Sequence, residues 1–160
     1  MARFLLKMSL IDAIWTLKAP MNRPKILVVD DDQVILKAMS MKLTPAGYEV
    51  VTAVDGSEAI AAARKQKPDL ILLDVNFPAD VGVGWDAFKI LAWLQRVDEC
   101  KGTPVIVISG GDAAKFKVRA LQAGAIAYFQ KPVKFDELLA LIKQALAAPA
   151  NPAPTPNPAG

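Results

Sequence analysis

Five short apolar runs, each followed by a segment of helical period, limit most strongly what this 160-residue chain can become. The runs are Ile26 to Val29, Tyr48 to Ala53, Leu70 to Leu73, Val105 to Ile108 and Ile126 to Phe129. The helical segments between and after them are Val34 to Leu43, Ser57 to Gln66, Trp85 to Gln95, Ala113 to Ala123 and Phe135 to Ala147. Runs such as ILVV, LILL and VIVI carry no polar alternation, so both of their faces must be hidden from water. That condition is met by parallel strands, and parallel neighbours need a crossover helix to join them. The expected fold is therefore α/β, a doubly wound five-stranded parallel sheet. Ser57 is expected to cap the second helix, with Glu58 in its first turn, and Pro45 to stop or kink the first. Pro78 to Gly84 makes a longer connection than the others.

In such a sheet, ligands sit beyond the carboxyl ends of the strands, near the point where strand order reverses. The first strand ends in Asp30, Asp31 and Asp32, the third at Asp74 in LILLDVN, and the fourth at Ser109 in VISGG. The fifth is followed by Lys131 in YFQKP. Three aspartates at the end of a buried strand repel one another unless a cation holds them. Carboxylates from two strands and a backbone carbonyl can hold Mg2+, while a hydroxyl and an ammonium grip the oxygens of a phosphoryl group. Taken singly, each residue has a plainer reading: an aspartate that caps a helix, a serine in a flexible turn, a solvated lysine, a tyrosine at Tyr128 filling a strand.

Composition removes other classes of chemistry. The chain has no histidine, which excludes histidine metal sites, histidine general bases and phosphohistidine chemistry of its own. Its 19 basic and 16 acidic residues leave a net charge of only +3, with no basic run interleaved with aromatics, so direct DNA binding is not expected. Cys100 is the single cysteine, which suits a reducing compartment, and no apolar run is long enough to span a membrane. A cytoplasmic location is expected.

The order VVDDD, LLDVN with a proline soon after, VISG, then a tyrosine three residues before Lys-Pro resembles the receiver domain of two-component response regulators. The resemblance covers roughly residues 23–147. It implies the flavodoxin-like strand order 2-1-3-4-5, Asp74 as phosphoacceptor, and Mg2+ held by Asp30, Asp31, Asp74 and the main-chain carbonyl of Asn76. It further implies that Ser109 is the switch hydroxyl, Lys131 the phosphate-pairing lysine and Tyr128 the aromatic switch residue. Pro132 stands where family members show a cis bond, and Asp32 is expected in the first helical turn rather than among the ligands. Implied partners are a sensor histidine kinase or phosphotransfer protein as donor and a downstream protein as target. The chain would act as a stand-alone receiver and not as an enzyme beyond phosphorylating and dephosphorylating itself. Gly84 rather than Gly82 opens the third helical segment, which reads as a two-residue insertion beside the site, and Phe77 replaces the family's usual methionine.

Competing classes fit less well. Aspartyl-phosphate hydrolases carry their nucleophile after the first strand in an Asp-x-Asp motif, and a flavin or nucleotide carrier would need a phosphate-cradling loop where this chain places three anions. A pseudo-receiver, docking or dimerising without phosphorylation, remains open.

Residues 1–20 are read as an apolar N-terminal helix, and residues 148–160, with five prolines among thirteen residues, as a disordered Pro/Ala-rich tail. Phe4, Met8, Ile11 and Trp15 form one helical stripe, and Leu6, Leu10, Ala13 and Leu17 a second. Too few polar residues remain to cover such a helix, which implies a protein contact, with a homodimer the leading form and Met21 an alternative start. Sedimentation should show self-association of the full chain that is lost in a version starting at Met21; two monomers would remove the dimer.

Overall fold

The computed structural model describes residues 23–74, 87–110 and 113–147. The expected N-terminal helix and tail, Asn76 and the Pro78 to Gly84 insertion lie outside the described residues. Chain order is β1 Lys25–Val29, α1 Gln33–Leu43, β2 Glu49–Ala53, α2 Gly56–Gln66, β3 Leu70–Asp74, α3 Ala87–Leu94, β4 Val105–Ser109, α4 Ala113–Gln122, β5 Ala127–Gln130 and α5 Phe135–Ala147. The five strands form one sheet in the order β2-β1-β3-β4-β5, and every pairing is parallel. This is the expected order, with the reversal between β1 and β3.

The absence of polar alternation in β1, β3 and β4 has a direct cause. Side chains of a strand point to opposite faces in turn, and here each face is covered by helices. Ile26, Val28, Leu70, Leu72, Ile106 and Ile108 share one core with Leu36 and Leu43 of α1 and Leu138 and Ile142 of α5. Leu27, Val29, Ile71, Leu73, Val105 and Val107 share the other with Ala59 and Ala63 of α2, Ile90 and Leu91 of α3 and Ala120 of α4. Each large side chain so buried contributes about 1.5–3 kcal/mol. The edge strands β2 and β5, covered less completely, are more polar in sequence and more exposed.

The strands extend beyond their apolar runs in a way that matters for the site. Asp74 pairs with Ile108 and Ser109 with Gln130, so the polar residues that end β3 and β4 still belong to the ladder. β5 begins at Ala127 rather than Ile126, which is 47% exposed.

Two caps differ from expectation. The cap of α2 is Asp55, not Ser57: its carboxylate accepts the Glu58 N–H at 2.7 Å, while the Glu58 carboxylate accepts the Val54 N–H at 3.0 Å. The helix therefore starts at Gly56, one residue before the serine. Asp32 precedes α1 as its N-cap and accepts the Val34 N–H at 2.8 Å, instead of standing inside the first turn. At the far end of α1, Thr44 is the C-cap and Pro45 comes next, so the proline stops the helix without kinking it.

Gly124 closes α4 with φ of +107°, and the Ala125 N–H reaches back to the Ala120 carbonyl at 3.0 Å. This six-to-one bond is that of a Schellman turn. The cap assignment is tested by paired substitutions: Asp55→Ala should lower unfolding free energy by about 1 kcal/mol and Ser57→Ala by less than about 0.5 kcal/mol, read by urea denaturation.

Candidate functional site

Three strand ends and one loop deliver the site. β1 leads straight into Asp30, whose N–H bonds to the Ala53 carbonyl of β2 at 3.1 Å, so its backbone is held just past the ladder. Asp74 is the last residue of β3 and Ser109 the last of β4. Asp30 and Asp74 are each 3% exposed and Ser109 is fully buried, whereas Asp31 is exposed. Lys131 comes directly after β5. Its N–H donates to the Ser109 carbonyl at 2.8 Å, and the Lys131–Pro132 peptide is cis.

Lys131 ties the cluster together. Its Nζ donates to Asp30 Oδ2 at 3.1 Å and to Asp74 Oδ2 at 3.2 Å. The other oxygen of Asp30 accepts the Asp32 N–H at 2.9 Å. One ammonium thus holds two buried carboxylates that would otherwise repel across the gap between β1 and β3. The titration behaviour reflects this arrangement. Burial and the facing Asp74 raise Asp30 above its ordinary 3.8, against the opposing pull of the Asp32 N–H and Lys131. Burial pulls Lys131 down, but the Asp74 and Asp30 carboxylates outweigh it and raise the lysine above 10.5.

Oxygens of Asp30, Asp31 and Asp74 all lie within 4.8 Å of one another. An all-carboxylate set, two members buried and one open to water, fits a hard divalent cation such as Mg2+, which prefers oxygen ligands and keeps part of its hydration. The expected fourth ligand, the carbonyl of Asn76, falls outside the described residues.

Tyr128 stands apart from this cluster. It pairs with Val107 in the sheet and packs against the core formed with α2, α3 and α4. Its hydroxyl is buried with no hydrogen-bond partner among the described residues. The sequence therefore places Asp30, Asp31, Asp74, Ser109 and Lys131 correctly at one sheet edge. It assigned Lys131 only to phosphoryl oxygens and missed its bridge between two aspartates. Separations of 101 and 57 residues leave no local pattern for that bridge; the only signal was the charge imbalance of three aspartates facing one lysine.

Comparison with known proteins agrees with this geometry. The family model for the response regulator receiver domain matches residues 26–143. The transcriptional regulatory protein PrrA of Mycobacterium tuberculosis is 39% identical over 123 residues, covering 77% of this chain and 50% of PrrA. KdpE of the same organism is 39% identical over 122 residues, covering 76% and 50%. Among solved structures, the CheY-like receiver domain from Methanospirillum hungatei superposes with a TM-score of 0.70 at 32% identity, covering 78% of this chain and 94% of that one. CheY4 of Vibrio cholerae gives 0.68 at 31%, covering 78% and 99%. The chain belongs to the response regulator receiver family. It spans about half the length of the curated relatives it matches.

Lys131→Met should reduce stability by about 2 kcal/mol near neutral pH in metal-free buffer, because two buried carboxylates lose their cation. The raised lysine contributes stability that is whole below 10.5 and is lost as pH rises through its folded value, so the deficit should shrink in alkali. It should shrink in acid too, as Asp30 takes up its proton above 3.8 and the repulsion disappears. Urea titrations across both limbs check this; a deficit independent of pH would mean that Lys131 acts by packing alone.

Proposed function

We propose that Asp74 accepts a phosphoryl group from a phosphohistidine on a sensor histidine kinase or phosphotransfer protein, and that the modified chain signals by binding another protein. The observation that carries this reading is the Lys131 ammonium bonded to Asp74 Oδ2 while a second carboxylate set stands beside it. A carboxylate is a poor nucleophile towards an anionic phosphoryl group, and positive charge on both sides of the transfer removes much of that repulsion. Bound by Asp30, Asp31 and Asp74, Mg2+ would supply charge on one side.

The chain's own groups do the rest. An Asp74 oxygen attacks phosphorus as the phosphorus–nitrogen bond of the donor breaks, and the electron pair leaves with the imidazole. Lys131 holds the Asp74 side chain through Oδ2, so its ammonium would be within reach of phosphoryl oxygens added to that carboxylate. Position at the end of a ladder fixes the nucleophile, so little freedom is lost on reaction. Hydrolysis of the acyl phosphate restores Asp74, so the chain would act on itself and turn over no separate substrate.

The new group carries about −1.5 to −2 charges and three acceptor oxygens in place of one carboxylate. Lys131 would exchange its bond to Asp74 for one to the phosphoryl group, and the Ser109 hydroxyl, at the adjacent strand end, would turn towards it. Since the Lys131 N–H is already bonded to the Ser109 carbonyl, movement at either residue would be passed to the end of β5. Tyr128 lies three residues before Lys131, and its buried hydroxyl, without a hydrogen-bond partner among the described residues, would be free to take one in a second arrangement.

With Mg2+ and a small-molecule phosphodonor, intact-mass measurement should show one acid-labile phosphoryl group, absent from Asp74→Asn and from samples in EDTA. Undiminished labelling of either would leave the docking-only receiver as the better account. Lys131→Ala should keep magnesium binding but lose the spectral response of Tyr128 to beryllofluoride; an unchanged response would show that another group couples the site to that face.

A further inference from the structure

A cavity of about 250 Å3 lies beside the aspartate cluster on the α1 and α5 side of the sheet. Its floor is Val28, Leu72 and Ile108, side chains of three central strands, and its upper rim is formed by Asp30, Asp74 and Lys131. One wall is the stripe Ile35, Ala38, Met39 and Lys42 along α1; the other is Pro132 and Val133 between β5 and α5. The stripe has the spacing i, i+3, i+4, i+7, so these four side chains stand on one face of α1. Ala38, with its single methyl group, leaves the gap between the larger neighbours.

The size and lining are those of a site for an apolar body. An enclosed apolar cavity of roughly 150 Å3 admits benzene; this one is larger in volume but partly open to solvent, so a ligand can enter from the surface. Water would find few partners on walls of valine, leucine, isoleucine, alanine and methionine. Charge at the two ends differs in kind. At the rim, Lys131 is committed to Asp30 and Asp74. At the far end stands the exposed Lys42, with its Nζ 5.1 Å above the ring of Phe135 and no hydrogen bond or ion pair to a carboxylate among the described residues. The ring's negative face steadies the ammonium but does not neutralise it.

We propose that this cavity binds a small amphipathic anion: an apolar chain or ring, in a molecule of about ten non-hydrogen atoms, that fills the space between α1 and the segment after β5, with one carboxylate at Lys42 Nζ. An amine of the same shape is disfavoured, because it would meet the Lys42 ammonium. The cavity shares its rim with the phosphoacceptor cluster, but the apolar walls and the anchoring cation take no part in the transfer, so the two readings are tested separately.

The experiment is a titration of the intact chain, monitored by two-dimensional NMR without phosphodonor or metal, using octanoate, octanol and octylammonium as probes. Octanoate should give saturable shifts confined to Ile35, Ala38, Met39, Lys42 and Val133, with octanol weaker and octylammonium weakest. Lys42→Ala, an exposed change that leaves the fold intact, should weaken octanoate about threefold and leave octanol unchanged. Ala38→Phe should block all three by filling the gap. Scattered or non-saturating shifts, or octanoate binding that survives Ala38→Phe, would overturn the site. Equal affinity for octanoate and octanol, or for octanoate and octylammonium, would overturn the assignment of an anion. Because every readout is binding in the absence of phosphodonor, failure here leaves the reading of Asp74 untouched, and failure of phosphorylation leaves this site testable.

Discussion

Two carboxylates buried side by side at the end of a parallel sheet repel each other, and the rest of the site is arranged around relieving that repulsion. Asp30 and Asp74 are almost wholly out of water, and one ammonium, from Lys131, reaches both. The bridge is adequate for folding but leaves an excess of negative charge, since Asp31 stands within reach of the same point. That excess is what makes the cluster suited to a divalent cation, which a site neutral in the resting state would have no demand for.

The fold supplies rigidity where this charge is concentrated. Each of the three central strands is buried on both faces, so the strand ends are held by two cores rather than one. Asp74 and Ser109 remain in the hydrogen-bonded ladder, and Asp30 keeps a bond to β2 after β1 ends. The helices contribute in a second way. Asp32 caps α1, and Asp55 together with Glu58 caps α2, so aspartates close to the site satisfy helix N–H groups instead of adding to the cluster. On the opposite sheet face, Arg119 lies 4.0 Å above the Phe88 ring, which itself stacks on Phe116 at 6.0 Å, joining α3 to α4 beside the core that holds Tyr128.

The resemblance to longer relatives bears on what the chain signals to. The matched part of PrrA and KdpE is about half of each, so the shared portion is the receiver and its site, and the name of the whole relative describes more than that portion. Within the shared portion, the five-stranded parallel fold is what the structure has in common with CheY-like domains. The apolar cavity next to the cluster is shaped by α1, above all by Ala38 between Ile35 and Met39, and Lys42 over Phe135 stands at its edge.

Among the described residues, the strands, the helices between and after them, and the sheet edge where the aspartates gather were legible in the sequence, because each depends on local period and on the residues that end each apolar run. ILVV, LILL and VIVI demanded burial on both faces, and that demand alone leads to parallel strands with crossover helices. Boundaries were less legible. Ladder bonds continue through Asp74 and Ser109, where hydropathy has already changed, and a cap is chosen by backbone geometry, which favoured Asp55 over Ser57. The pairing of Lys131 with Asp30 as well as Asp74, the burial of the Tyr128 hydroxyl without a partner among the described residues, and the cavity between α1 and the segment after β5 were decided only by the tertiary structure. Each depends on groups brought together from distant parts of the chain, where one sheet register and one helix position set distances that no local pattern encodes.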